Sequence, residues 1–136
     1  MKVLHTDMSK TIGYNYKNPK KPFYLLEDVQ VAISYAKGKK KRFTMEEGFA
    51  SDGCTLPKVL RLFFGCQHTP EYLSASYIHD WAITHPEVFN YNRKFTSKIF
   101  LTELLASGVN PRKAYKMYLG VELWQSVSNL WRHKWR

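Results

Sequence analysis

Two short runs set residues of acid–base type side by side: Ser51-Asp52-Gly53 and His79-Asp80-Trp81. A carboxylate held near an imidazole raises its basicity and fixes which ring nitrogen carries the proton, the arrangement that general acid–base catalysis uses. Consecutive residues on a helix point about 100° apart, so His79 and Asp80 flank one cation only if other groups complete its shell. The same two residues also serve as a staple, satisfying neighbouring backbone groups without any turnover. Asp52, His79 and Asp80 are therefore the catalytic candidates if the chain is an enzyme. Asp52 and His79 are expected to approach each other, because the Asp-Gly turn leads directly into the helical region.

Other chemistries find less support. Phosphohydrolases built on a His-Asp doublet need a further aspartate downstream, and no Asp follows Asp80. His85 lies about 240° around a helix from His79 and joins it only if the helix ends or bends first. Cys54 stands next but one to Asp52, and a nearby carboxylate opposes thiolate formation. Neither a glycine-rich phosphate loop nor a nucleophile elbow is present. The expectation is no cofactor and no tightly held metal.

Binding chemistry is concentrated at two places. Lys37-Gly38-Lys39-Lys40-Lys41 reads as a basic hairpin tip, with the glycine allowing the reversal. Near the carboxyl end Met117, Val121, Trp124, Trp131 and Trp135 recur at helical intervals, with Arg132, Lys134 and Arg136 among the last of them. Tryptophan and arginine are common interface anchors. Lys39, Lys40, Lys41, Trp131, Arg132 and Trp135 are thus the partner-binding candidates, the alternative being a core-packing helix with a frayed basic tail. Glu122, Gln125, Ser126, Ser128 and Asn129 make the same helix a poor membrane-surface element.

The elements that must position these residues follow from pattern and punctuation. Val29, Val31, Ile33 and Tyr35 alternate with polar or small residues, predicting a strand within 23–35, with a second strand at 42–45. Residues 1–22, rich in turn formers, show no lasting period and are expected as an irregular arm. Pro57 suits the first turn of a short helix over 57–64. Pro70 opens a helix that runs towards Ile83 and stops before Pro86. A further helix covers about 94–107, ended by Gly108, and Asn110 with Pro111 opens the last, which is expected to run on towards Arg136. The fold class is α+β: a mainly helical single domain, 1–136, with an amino-terminal antiparallel hairpin (23–47) packed on three or four helices (54–136).

Composition narrows the classes further. The 136 residues carry a net charge of +10 and are 44% hydrophobic, which supplies a core and excludes wholesale disorder. The charge is uneven: residues 1–45 hold ten basic against three acidic residues, 46–90 two against six, and 91–136 nine against two. Basic flanks favour an anionic partner, though net charge alone names none. The acidic middle also holds His68, His79 and His85. No apolar run is long enough for a transmembrane segment, and the amino terminus lacks a signal-peptide centre.

The series Glu47-Gly48-Phe49-Ala50-Ser51-Asp52-Gly53-Cys54-Thr55-Leu56-Pro57, then Ser76-Tyr77-Ile78-His79-Asp80-Trp81, then Phe100-Leu101, Gly108-Val109 and Ala114 to Tyr118, resembles the phage and prophage family called domain of unknown function 1353. The resemblance spans roughly 23–125. Asp52, Gly53, Pro57, His79 and Asp80 match its polar signature, while Ser51 replaces the usual threonine. Ser97 stands where the family pattern often has an acid, which implies a scaffold kept without the reaction. The resemblance implies a phage or prophage origin and no transferable activity. The expected function is a virion-associated structural or partner-binding protein, made in the host cytoplasm and part of an oligomer or assembly. Its partners would be other phage structural proteins or a host protein, with non-specific nucleic-acid contact open. The alternatives are a small hydrolase acting on cell-envelope material and an intracellular inhibitor of a host factor.

Overall fold

A computed structural model describes residues 1–5, 8, 11–17, 21, 23–51 and 70–132; at 51, 70, 71 and 128–132 it describes the backbone alone. The chain forms two compact units, Met1–Gly53 and Cys54–Arg136. Antiparallel strands make up the first, and helices the described part of the second, in keeping with α+β.

The strand unit contains two three-stranded antiparallel sheets. One has the order β1 (Lys2–His5), β4 (Val29–Ser34), β5 (Lys40–Met45). The other has the order β2 (Ile12–Tyr14), β3 (Phe23–Leu25), β6 (Ala50–Ser51). The predicted hairpin is β4–β5, with Val29 opposite Met45 and Ser34 opposite Lys40. Its alternation is clean: Val29, Val31, Ile33 and Met45 are buried on one face, as a half-buried sheet requires. Gly38 makes the reversal at φ 70°, and Lys39 N–H donates to the Ala36 carbonyl at 2.9 Å. Lys40 and Lys41 belong to β5 rather than to the tip.

Two expectations are corrected here. Residues 1–22 are not an irregular arm, because β1 and β2 lie within them and pair with β4 and β3. The strand expected over 23–35 is two strands, β3 and β4, which belong to different sheets. The intervening Leu26-Glu27-Asp28 turns the chain, and Asp28 Oδ1 accepts a hydrogen bond from Glu47 N–H at 2.8 Å across the end of the hairpin.

The helical unit has α1 (Pro70–Thr84), a short 3-10 turn (Pro86–Phe89), α2 (Arg93–Ala106) and α3 (Pro111–Arg132). Asn92 caps α2 by accepting from Phe95 N–H at 3.1 Å, and Asn110 accepts from Arg112 N–H at 2.9 Å at the start of α3, satisfying donors that the first helical turn leaves orphaned. Gly108 follows α2 at φ 89°, the left-handed conformation that ends helices. Tyr72 and Ala75 of α1, Phe100 and Leu104 of α2, Val109, and Ala114, Met117 and Val121 of α3 share one buried cluster. The helix expected over 57–64 lies outside the described residues.

Candidate functional site

The helical unit's polar centre grows from three positions that continue apolar stripes. Ser97 precedes Phe100 and Leu104 on the inner face of α2, Gln125 follows Ala114, Met117 and Val121 on α3, and His79 follows Tyr72 and Ala75 on α1. Helical spacing therefore carries all three inward with the core. Ser97 is fully buried and His79 is 1% exposed.

Hydrogen bonds join the three helices through these side chains. Ser97 Oγ donates to Gln125 Oε1 at 3.2 Å, and Gln125 Nε2 lies 3.0 Å from His79 Nε2. With its oxygen committed to Ser97, the Gln125 amide presents an N–H to the ring, so His79 Nε2 accepts and the ring proton sits on Nδ1. Nδ1 is buried with no hydrogen-bond partner among the described residues. The ring leans on Phe100, centroids 5.3 Å apart. Burial lowers the His79 pKa from its usual 6.5 to about 4, holding the imidazole neutral at pH 7.

Around this centre lie two further cross-links. Ser74 Oγ donates to Glu103 Oε1 at 2.9 Å, so the carboxylate of the buried Glu103 is hydrogen-bonded. Arg93 Nη1 donates to Ser126 Oγ at 2.8 Å between α2 and α3.

The catalytic candidates thus part company. Asp52 lies outside the described residues, and with it the expected approach of Asp52 to His79. His79 is sealed in the core and takes its hydrogen bond from α3. Asp80, the next residue, is half-buried; burial first and the Asp80 charge second push the buried Tyr77 phenol above its ordinary pKa. His85 goes elsewhere again, stacked on Trp81 at 3.9 Å with Nδ1 2.9 Å from the Trp81 carbonyl. Among the described residues, no three His, Cys, Asp or Glu side chains gather to hold a metal ion.

The binding candidates are also redistributed. Lys39 and Lys40 are exposed while Lys41 is half-buried, because successive strand residues face opposite sides. The apolar stripe read along the last helix divides: Met117 and Val121 are core, whereas Trp124 is 49% exposed. The side chains of Trp131 and Arg132, and all of Trp135, lie outside the described residues. No helix among the described residues is long and apolar enough to cross a membrane.

Sequence reasoning did not single out Gln125 as a partner of His79. The signal was available as a glutamine continuing the buried Ala114–Met117–Val121 stripe, where a polar side chain needs a partner.

Residues 27–121, more than half of the chain, match the model of a family described as a protein of unknown function, DUF1353. No curated protein and no solved structure matches.

Proposed function

The chain belongs to the DUF1353 family of unknown function, and from that premise we propose that it is a partner-binding protein of a phage or prophage assembly, docking through the outward face of α3. The observation that carries this reading is a row of exposed apolar side chains, Tyr115, Leu119, Leu123 and Val127, with Trp124 beside it. Leu119 and Leu123 are 61% and 65% exposed on a helix that already buries Ala114, Met117 and Val121 on its other side. Residues four apart form a continuous strip along a helix, the pattern with which amphipathic helices enter apolar grooves. Arg112 and Lys116 stand exposed among the first turns of the same helix, with Lys113 half-buried beside them. The occupant that fits is a protein groove with an apolar floor and carboxylates at one end. The phage setting rests on the family resemblance.

The hydrolase reading has less to stand on, because His79 is buried and neutral and cannot meet a substrate without the helices parting. The docking reading is tested with a tagged chain produced during particle assembly. Mass spectrometry of purified particles should find the wild type at a fixed stoichiometry. The double variant Leu119→Glu/Leu123→Glu should fold by circular dichroism and be missing from particles. A chain ending at Asn129 asks whether Trp131, Arg132 and Trp135 share in the contact. Absence of the wild type from particles, or normal entry of the double variant, would overturn the reading.

A further inference from the structure

We infer that the open face of the β1–β4–β5 sheet is a binding trough for single-stranded nucleic acid, held by its phosphates. This site is separate from the α3 face and does not depend on it.

The strand register places the residues. Lys2 is opposite Ser34, which is opposite Lys40, and Leu4 is opposite Ala32, which is opposite Arg42. Gln30 is opposite Thr44. Since Val3, Val29, Val31, Ile33 and Met45 are buried on one side, strand alternation sends Lys2, Leu4, Gln30, Ala32, Ser34, Lys40, Arg42 and Thr44 to the other. The central strand β4 therefore supplies a floor of Gln30, Ala32 and Ser34, all uncharged, between cationic walls. A cleft of about 500 Å³ opens here, lined by Leu4, Gln30, Ala32, Arg42 and Thr44 together with His5, Val31 and Phe43 of the same three strands.

Among the described residues, every charged side chain on this face is basic. The acids of the hairpin, Glu27, Asp28, Glu46 and Glu47, lie in the chain just before β4 and just after β5. Lys2, Lys40 and the exposed Lys37 and Lys39 are at the opposite end. A polyanion is therefore drawn to the hairpin half of the trough and pushed from the other. Hydroxyl and amide groups at Ser34, Thr44 and Gln30 add donors for phosphate or sugar oxygens.

Width and composition select the ligand. Two strand spacings put β1 and β5 about 10 Å apart. A duplex, whose major groove alone is about 12 Å wide, does not settle between them; a single strand does. A flat anionic membrane would call for projecting apolar anchors, and among the described residues Leu4 is the one large apolar side chain on the face. Among the described residues, register turns His5 and Phe43, which also line the cleft, towards the buried side, so base stacking contributes little and phosphate contacts carry the affinity.

The test is fluorescence anisotropy of the full-length chain with a labelled oligothymidylate of about 20 nucleotides, repeated across salt concentrations. Three phosphate contacts, from Lys2, Lys40 and Arg42, predict a slope of log K against log salt of about −2. Lys40→Ala and Arg42→Ala should each weaken binding about threefold and flatten that slope by about 0.7. Ala32→Glu, which sets a carboxylate on the floor, should abolish binding in a protein that circular dichroism shows to be folded. Lys98→Ala, the same charge loss at an exposed position of α2, should change nothing. Failure of the wild type to bind in 50 mM salt would overturn the inference. So would binding that Ala32→Glu leaves intact, equal losses from Lys98→Ala, or a preference for duplex or for phosphatidylserine vesicles over the oligonucleotide.

Discussion

On the sheet β1–β4–β5, Lys2, Lys40 and Arg42 stand on the open face, while between α1, α2 and α3 Ser97 and His79 are buried and Gln125, which joins them, is half-buried. The two regions use polar residues in opposite ways. Those of the helical unit are bound to one another, Ser97 to Gln125 and Gln125 to His79, and they fix how three helices meet. Those of the sheet face leave the strand pairing to the backbone, and Lys2, Lys40 and Arg42 stand exposed to solvent. The lesson concerns histidine in particular. A His-Asp doublet looks catalytic in the sequence, yet His79 is carried inward with Tyr72 and Ala75, where burial holds it neutral and its hydrogen bond to Gln125 joins two helices.

Substitutions in the helical interior should therefore change stability, and those on the sheet face should change binding alone. The largest effect is expected from Phe100→Ala, which removes a buried ring from the helical cluster and from the side of His79. The expected loss is about 3–5 kcal/mol, measured by urea denaturation followed at 222 nm. A loss under about 1 kcal/mol would mean the helices do not share a packed interior.

The next effect is a dependence on pH. His79 has a folded pKa of about 4 against 6.5 when unfolded, so between these values the unfolded chain binds more protons and stability falls as the pH falls. The contribution is fully present above about pH 6.5 and is lost as pH drops towards 4, on the order of 3 kcal/mol in all. Denaturation of the wild type and of His79→Leu at pH 7 and pH 4.5 isolates it, since the variant should lack that part of the acid sensitivity. Equal acid sensitivity in both proteins would show that His79 is not held neutral by burial.

Gln125→Leu leaves His79 Nε2 and Ser97 Oγ without their partner and should cost about 1–3 kcal/mol. If the double variant Gln125→Leu/Ser97→Ala recovers part of that loss, the thread acts as a unit. Asn92→Ala removes the cap of α2 and should cost about 1 kcal/mol. Smallest of all, Arg42→Ala on the sheet face should stay within about 0.5 kcal/mol of the wild type. A large loss there would erase the contrast between the two regions.

Much of the local structure was legible because its causes are local. The alternation of Val29, Val31 and Ile33 marks β4, Gly38 marks the reversal, and Pro70, Asn110, Pro111 and Gly108 mark helix ends, each through the conformation of one or two residues. The family could be read as well, from the order of Gly48-Phe49, Asp52-Gly53 and His79-Asp80. β1 and β2 could not, being four and three residues long, too short for a period to show. They exist because distant strands complete their hydrogen bonds, β1 through pairs such as Lys2 opposite Ser34 and β2 through pairs such as Ile12 opposite Leu25.

The sequence alone thus determined which segments are strands or helices wherever the signal lay within a few residues, and it set the basic character of the hairpin. Only the tertiary structure decided which polar residues are spent inside and which are left outside. His79 and Gln125 are 46 residues apart, and no spacing rule links them until α1 and α3 pack. Lys40 and Arg42 became walls of a trough only when β1 paired on the far side of β4 and supplied Lys2. Periodicity says which way a side chain points from its own backbone, whereas burial, partner and pKa depend on what other part of the chain arrives there.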